Sequence, residues 1–252
     1  MQSFETDWLG SESIYYNTKS NKIDKNINNL IDSKNSKICN DGLYYYLKYG
    51  YCVFGKTIFS DIKFLDHSSK IKTDKTEIKI TKIDDYWESF KKYTNPQDIF
   101  EKISFYLDSH IEKYEKKIVI PTSGGYDSRL LNILCGKKEQ IFSCSYGTSE
   151  NQEYSHEVMV ARELSKKLNT RHEFIKLNNF FDLENEWYKL YGPTTHLNGH
   201  YQIEFFKNLL TKFKFLQNSL LISGIFGDVW SGKRNFESIE RPEDIYKLSL
   251  SH

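Results

Sequence analysis

Along the last two thirds of the chain, segments with helical spacing of apolar residues alternate with short apolar runs. Windows with apolar positions three and four apart predict amphipathic helices over residues 96–114, 154–168 and 200–216. Short apolar runs between them predict strands from residue 118 and over residues 140–145, 171–177 and 220–223. Repeated strand–helix order is typical of α/β proteins, so we predict a parallel sheet with helices on both faces.

The first ninety residues follow a weaker pattern. Residues 17–40 are polar and predict either a weak helix over residues 23–31 or a loose surface segment. Residues 41–49 predict a short helix that Asn40 or Asp41 could cap and Gly50 could end.

Alternation over residues 76–82 predicts an exposed strand. We therefore expect a small mixed segment over residues 1–90, with a short helix and an exposed strand. An α/β domain would follow over residues 91–252.

One turn carries the main candidate chemistry. Residues 118–129 read as a strand, a glycine turn and a helix start, a junction whose unpaired N–H groups bind anions. The two glycines of the turn would adopt backbone angles closed to other residues and let a phosphate approach the main chain. The serine hydroxyls would donate hydrogen bonds to that phosphate, and the aspartate would face a magnesium ion bound to it. The residues expected to bind nucleotide here are Thr122, Ser123, Gly124, Gly125, Asp127 and Ser128.

A second glycine-rich segment follows the fourth predicted strand. Open parallel sheets bind ligands at the carboxyl ends of strands where the strand order reverses, and the first and fourth strands would be neighbours there. We therefore expect Ser223 and Gly224 to contact the nucleotide, and Asp127 and Asp228 to hold one magnesium ion. The predicted catalytic residues are Ser123, Asp127 and Asp228.

These motifs resemble a known family. Residues 123–128 resemble the Ser-Gly-Gly-x-Asp-Ser loop of ATP pyrophosphatases, and residues 220–232 are similar to the second motif of asparagine synthetases. Residues 142–146 are similar to the strand whose backbone borders adenine there, which implies a nucleotide contact at Cys144. Residues 191–194 are similar to a turn on the substrate side. Residues 42–73 resemble the connector before the synthetase domain of that family, which implies a short hairpin within residues 1–90. The resemblance covers residues 42–232 and implies the adenine nucleotide alpha hydrolase-like fold.

Three departures from that family change the expectation. Met1-Gln2 supplies no cysteine nucleophile, so we expect no glutamine hydrolysis. Ile225 and Val229 stand where the family has glutamates, which removes carboxylates that could act as a base. The family's later lysine has no counterpart before His252, although Lys233 or Arg234 could substitute.

The resemblance implies an ATP- and Mg²⁺-dependent ligase that adenylates a small-molecule carboxylate and passes it to an amine or ammonia, releasing AMP. The acid is not readable from the sequence. One alternative is a nucleotide-binding chain without turnover, acting as a partner subunit, and a partner chain could supply the missing C-terminal part or ammonia. A second alternative is RNA thiolation, which usually needs paired cysteines and a basic surface.

Composition narrows these alternatives. The net charge of +1 over 252 residues argues against nucleic acid or membrane partners. Four cysteines without paired spacing are expected to be free thiols in a reducing, cytoplasmic environment. The histidines, His172 among them, lack metal-ligand spacing, so we predict no zinc site.

Overall fold

A computed structural model describes residues 2–74, 76–84, 95–113, 116–196 and 199–225. The chain divides into two compact units. The first combines the described parts of residues 1–92 with Asp182–His200, and the second combines those of residues 93–181 and 201–236. The boundary expected at residues 90 and 91 lies outside the described residues, as do Asp228, Val229, Lys233 and Arg234.

The secondary structure elements are numbered in chain order. The strands are β1 (Gln2–Thr6), β2 (Tyr15–Asn17), β3 (Ile23–Asp24), β4 (Ile62–Phe64), β5 (Ser69–Thr73), β6 (Ile78–Lys82), β7 (Ile118–Pro121), β8 (Ile141–Ser145), β9 (Arg171–Phe174) and β10 (Leu220–Leu221). The helices are α1 (Asn40–Tyr49), α2 (Pro96–Ile111), α3 (Tyr126–Leu134), α4 (His156–Leu168), α5 (Glu184–Tyr191) and α6 (His200–Lys212). None of these helices is long and apolar enough to cross a bilayer.

The first unit contains two antiparallel three-stranded sheets, in the orders β1-β5-β6 and β3-β2-β4. Strands β5 and β6 form the expected hairpin, with Ile71 paired to Ile80. Two apolar clusters lie in this unit. One is built on Ile14, Ile23, Leu65 and Ile71 and draws on both sheets, since Ile23 belongs to β3 and Ile71 to β5. The other is built on Tyr15, Ile27, Leu30 and Ile62.

The polar segment of residues 17–40 is neither the weak helix nor the loose surface segment considered above. Ile23 pairs in β3, and a short 3₁₀ turn covers Ile27–Asn29. The amides of Asn26 and Asn28 donate to the carbonyls of Lys189 and Tyr188 at the end of α5, at 2.8 and 2.6 Å. Three apolar side chains, Ile23, Ile27 and Leu30, are buried. Tertiary contacts therefore order a segment whose local pattern is weak.

The short helix α1 forms as predicted and ends at Gly50. This glycine has φ +87°, and its N–H donates to the carbonyl of Tyr46. The proposed cap is wrong, because the residue before the first turn is Cys39, which supplies no side-chain cap.

The second unit contains a four-stranded sheet in the order β10-β7-β8-β9, with every pair parallel. The predicted neighbours are confirmed, since Leu220 pairs with Ile118 and Leu221 with Val119. The chain runs outward from β7 to β9 and returns to the other side of β7. The strand order therefore reverses between β7 and β10.

Helices cover both faces of this sheet, which confirms the α/β prediction. Ile118, Ile120 and Ile141 pack with Ile111 of α2 and Cys135 after α3. On the opposite face of the sheet, Val119, Phe142 and Cys144 pack in one cluster with Phe205 and Leu209 of α6. Alternating side chains of β7 thus enter different cores.

Strand β9 ends at Phe174 rather than at Leu177. Beyond it, the side-chain amide of Gln152 replaces the strand ladder, accepting from Leu177 N at 2.9 Å and donating to its carbonyl at 2.8 Å. Ile175 and Leu177 remain buried in the core. The alternation therefore marked the buried side chains correctly. The Ile175 N–H still donates to the Ser145 carbonyl of β8, but at Leu177 a side chain rather than a strand satisfies the backbone.

Candidate functional site at the strand reversal

The predicted turn lies between β7 and α3, at the carboxyl end of the sheet. Gly125 has φ −73° and ψ 159°, which are open to any residue, and Gly124 has no positive φ either. The expectation that these glycines are required for unusual backbone angles is therefore wrong. The constraint on Gly124 is steric, because a Cβ there would come 3.0 Å from Nδ1 of His156.

Hydrogen bonds within the turn fix its shape. The N–H of Ser123 donates to Oγ of Ser128 at 3.0 Å, and the N–H of Gly125 donates to Oγ of Ser123 at 3.1 Å. The two hydroxyl oxygens lie 3.3 Å apart. Ser128 is buried and holds the turn from below, whereas Ser123 lies on the exposed side. Gly125 supplies no side-chain cap to α3, so the first N–H groups of this helix face the turn.

The segment after β10 packs directly on the start of α3. A Cβ on Gly224 would lie 3.1 Å from the Asp127 Cβ and 3.1 Å from Ser128 N. The structure thus brings together the two glycine-rich segments that the sequence placed at one switch point. A side chain at residue 224 would have to displace the main chain of α3.

These segments border an open cavity of about 470 Å³, a size that suits a small ligand. All the predicted nucleotide-binding residues except Gly124 line it. The lining residues from that prediction are Thr122, Ser123, Gly125, Asp127, Ser128, Cys144, Ser223 and Gly224. Gly124 lies behind the turn, against His156.

One wall of the cavity is apolar. Cys144, Tyr146 and Phe205 line it, and the rings of Tyr146 and Phe205 meet edge to face with centroids 5.3 Å apart. Burial raises the pKa of the Cys144 thiol to about 12, so it is protonated at neutral pH. Burial, with Tyr201 beside it, also raises the pKa of Tyr146 well above its usual value. Neither residue is a ready nucleophile at neutral pH, so this wall offers apolar contact rather than reactive groups.

Glu157 is a cavity residue that sequence reasoning missed. Its Oε1 accepts from the Thr148 N–H at 2.7 Å and from the Thr148 hydroxyl at 2.6 Å. Burial alone would raise the pKa of Glu157, but the hydrogen bonds from Thr148, together with those from its own N–H and from Ser155, outweigh burial and lower the pKa. Glu153, four residues earlier, instead pairs with Arg162 on the surface. The available signal was the position of Glu157 in the first turn of α4.

His172 lies one layer behind the cavity. Its Nε2 is 2.9 Å from Oγ of Ser145, which lines the cavity. Burial, with the nearby charge of Arg162, lowers the pKa of His172 to about 4. The imidazole is therefore neutral at physiological pH and supports Ser145 through one hydrogen bond.

Among the described residues, no cluster of three histidine, cysteine or acidic side chains could hold a metal ion by itself. Asp127 is half-buried at the cavity edge, and its carboxylate accepts no hydrogen bond from the residues that the structure describes. One carboxylate together with phosphate oxygens is a common way to hold Mg²⁺, so Asp127 fits an ion that arrives with a nucleotide.

Fold and site define an α/β protein with a glycine turn and an open cavity at the switch point of a parallel sheet. No family model matches the sequence, and no curated protein matches it.

Two solved structures are similar to part of the chain in the course of their backbones. The NH3-dependent NAD synthetase from Campylobacter jejuni is 21% identical with a TM-score of 0.39, over 62% of this chain and 73% of that one. The glutamine-dependent NAD+ synthetase from Acinetobacter baumannii is 13% identical with a TM-score of 0.40, over 76% of this chain and 38% of that one.

Proposed function

We propose that the second unit binds Mg²⁺–ATP and transfers its adenylyl group to a small-molecule carboxylate, as an asparagine synthetase-like ligase. The observation that carries this proposal is the cavity itself. A helix N-terminus, two glycine segments, a carboxylate and an apolar wall meet at the strand reversal. These are the groups that recognise phosphates, their metal ion and a nucleobase.

The turn between β7 and α3 is suited to the β and γ phosphates. Its serine hydroxyls already shape the main chain, so binding would cost little ordering of the turn. The positive end of the α3 dipole stabilises added negative charge. When bound, Mg²⁺ would neutralise the leaving pyrophosphate, and Asp127 is the described residue that would hold it. Asp228 remains the second proposed ligand.

In the proposed reaction, an oxygen of the substrate carboxylate attacks the α-phosphorus of ATP. The bond from the α-phosphorus to the bridging oxygen breaks, and pyrophosphate leaves with its electron pair. An amine or ammonia then attacks the acyl carbon, loses a proton and displaces AMP. The chain contributes mainly positioning and charge stabilisation through the turn.

A second candidate, nucleotide binding without turnover, is favoured by one feature. Ile225 lines the cavity where the family carries a glutamate, and its side chain is 69% exposed. An isoleucine cannot accept the proton of the attacking amine. Glu157 also lines the cavity, but its Oε1 is already held by Thr148.

Isotope exchange between ATP and pyrophosphate, measured with a panel of carboxylic acids, separates the two candidates. Exchange that depends on one acid supports the ligase. ATP binding by calorimetry without exchange for any acid supports the second candidate. Asp127→Asn should weaken both signals, and Asp182→Asn, an exposed aspartate of the first unit, serves as the control. A parent chain that does not bind ATP contradicts both.

A further inference from the structure

A chain of buried polar side chains runs beneath the turn. Oγ1 of Thr122 lies at its centre and accepts from the Asn132 amide and from the Ser143 hydroxyl, each at 2.9 Å. Thr122 donates its own hydrogen to the Ile120 carbonyl at 2.9 Å. Asn132 and Ser143 are fully buried, and Thr122 is 3% exposed. This cluster, the Thr122 brace, joins β7, β8 and α3.

The orientation of Asn132 follows from its partners. Its side-chain nitrogen also donates to the main-chain carbonyl of Ser128 at 2.8 Å, and a carbonyl can only accept. The nitrogen therefore faces both Ser128 and Thr122, while Oδ1 is buried with no hydrogen-bond partner among the described residues. A buried unpaired oxygen is costly, so its retention suggests that the donor side of this amide has a purpose.

The brace connects to the turn at both of its ends, through Thr122 and Ser128. Asn132 holds the Ser128 carbonyl in the first turn of α3, and the Ser128 hydroxyl accepts from Ser123 N. Thr122 immediately precedes that N–H. Both ends of the turn are thus tied to the same buried amide, on the side away from the cavity.

We propose that Asn132 and Ser143 are positioning residues that hold the turn in its phosphate-binding shape before any ligand arrives. The proposal rests on the proposed function for its ligand. Neither side chain lines the cavity, so each would act only through Thr122 and Ser128. A preset turn binds phosphate without a further ordering cost.

The test uses two serines of equal burial. Ser143→Ala removes a hydroxyl from the brace, whereas Ser165→Ala removes a buried hydroxyl on α4 that has no partner among the described residues. We expect Ser143→Ala to weaken ATP binding about tenfold and to leave adenosine binding unchanged, because only the phosphates meet the turn. Ser165→Ala should change neither. Asn132→Leu should act like Ser143→Ala, and the double variant should be less than additive.

Two further measurements separate positioning from general stability. Thr122→Ser keeps the hydroxyl and should retain ATP affinity, whereas Thr122→Val should not. Amide exchange in the unliganded protein should become faster at Ser123 in Ser143→Ala but not in Ser165→Ala. Equal ATP affinity and equal exchange in the two serine variants would overturn the proposal, as would an equal loss of ATP and adenosine binding. A parent that binds no ATP refutes the proposed function, whereas amide exchange in the same sample still decides whether the brace holds the turn.

Discussion

Two strand–helix junctions of the second unit place an acidic residue at the same helix position, but the two carboxylates make different contacts. After β7, Gly125 precedes α3, and Asp127 is its second residue. After β8, Ser155 precedes α4, and Glu157 is its second residue. Both residues line the cavity. Glu157 accepts hydrogen bonds from Thr148 of its own loop, whereas the Asp127 carboxylate has no hydrogen bond from the described residues.

The difference lies in what each loop offers its carboxylate. Ten residues separate β8 from α4, and this loop folds back so that Thr148 meets the helix start. Four residues separate β7 from α3, and the hydrogen bonds of these residues form within the turn itself. Similar positions in the chain thus yield one structural carboxylate and one that remains available to a ligand.

The largest expected effect comes from filling the short turn. Gly124→Val should reduce ATP affinity at least tenfold, because its Cβ would press on the His156 ring and push the turn out of shape. Calorimetric titration measures the loss, and circular dichroism on the same sample shows whether the protein is folded. Gly124→Ala should give a smaller loss. Unchanged affinity in the valine variant would contradict the assignment of this turn to phosphate.

Neutralising the two carboxylates tests the comparison directly. Asp127→Asn should weaken ATP binding about tenfold in the presence of Mg²⁺ and have little effect with EDTA, because it removes a ligand of the ion. Glu157→Gln should leave the magnesium dependence intact and lower the free energy of unfolding by about 1 kcal/mol, because two hydrogen bonds lose their charged acceptor. If Glu157→Gln removes the magnesium dependence and Asp127→Asn does not, the roles have been assigned the wrong way round.

A smaller effect should appear in the pH dependence of stability, through His172 behind Ser145. Its folded-state pKa of about 4 lies below the ordinary value of 6.5, so the unfolded chain binds more protons between these values. The contribution of neutral His172 to the free energy of unfolding should therefore be fully present above pH 6.5 and be lost as the pH falls towards 4. The expected loss is about 1–2 kcal/mol after allowance for partial exposure.

Urea denaturation between pH 4 and pH 7 measures that slope. His172→Gln should flatten it, and His110→Gln, on the surface of α2, should not. An identical slope in the parent and in His172→Gln would show that other groups set the pH dependence.

Local patterns in the sequence predicted the helices and the parallel sheet of the second unit, because apolar periodicity reports which faces are buried. They did not predict helix α5 of the first unit. They also located the turn at residues 122–128, since a strand, two glycines and a helix start are contiguous in the chain. The neighbourhood of β7 and β10 followed from general rules of topology. Misplaced ends, such as that of β9, arose where a distant side chain, Gln152, satisfied the backbone.

Only the tertiary structure decided which polar residues meet at the site. Thr122, Asn132 and Ser143 come from three elements, and their hydrogen bonds form only once the sheet and α3 are packed. The same holds for Glu157 with Thr148, and for the approach of Gly224 to Asp127. Periodicity records whether a residue is buried but not which partner it meets. The physical reason is that these contacts depend on the relative placement of whole elements, which no local window contains.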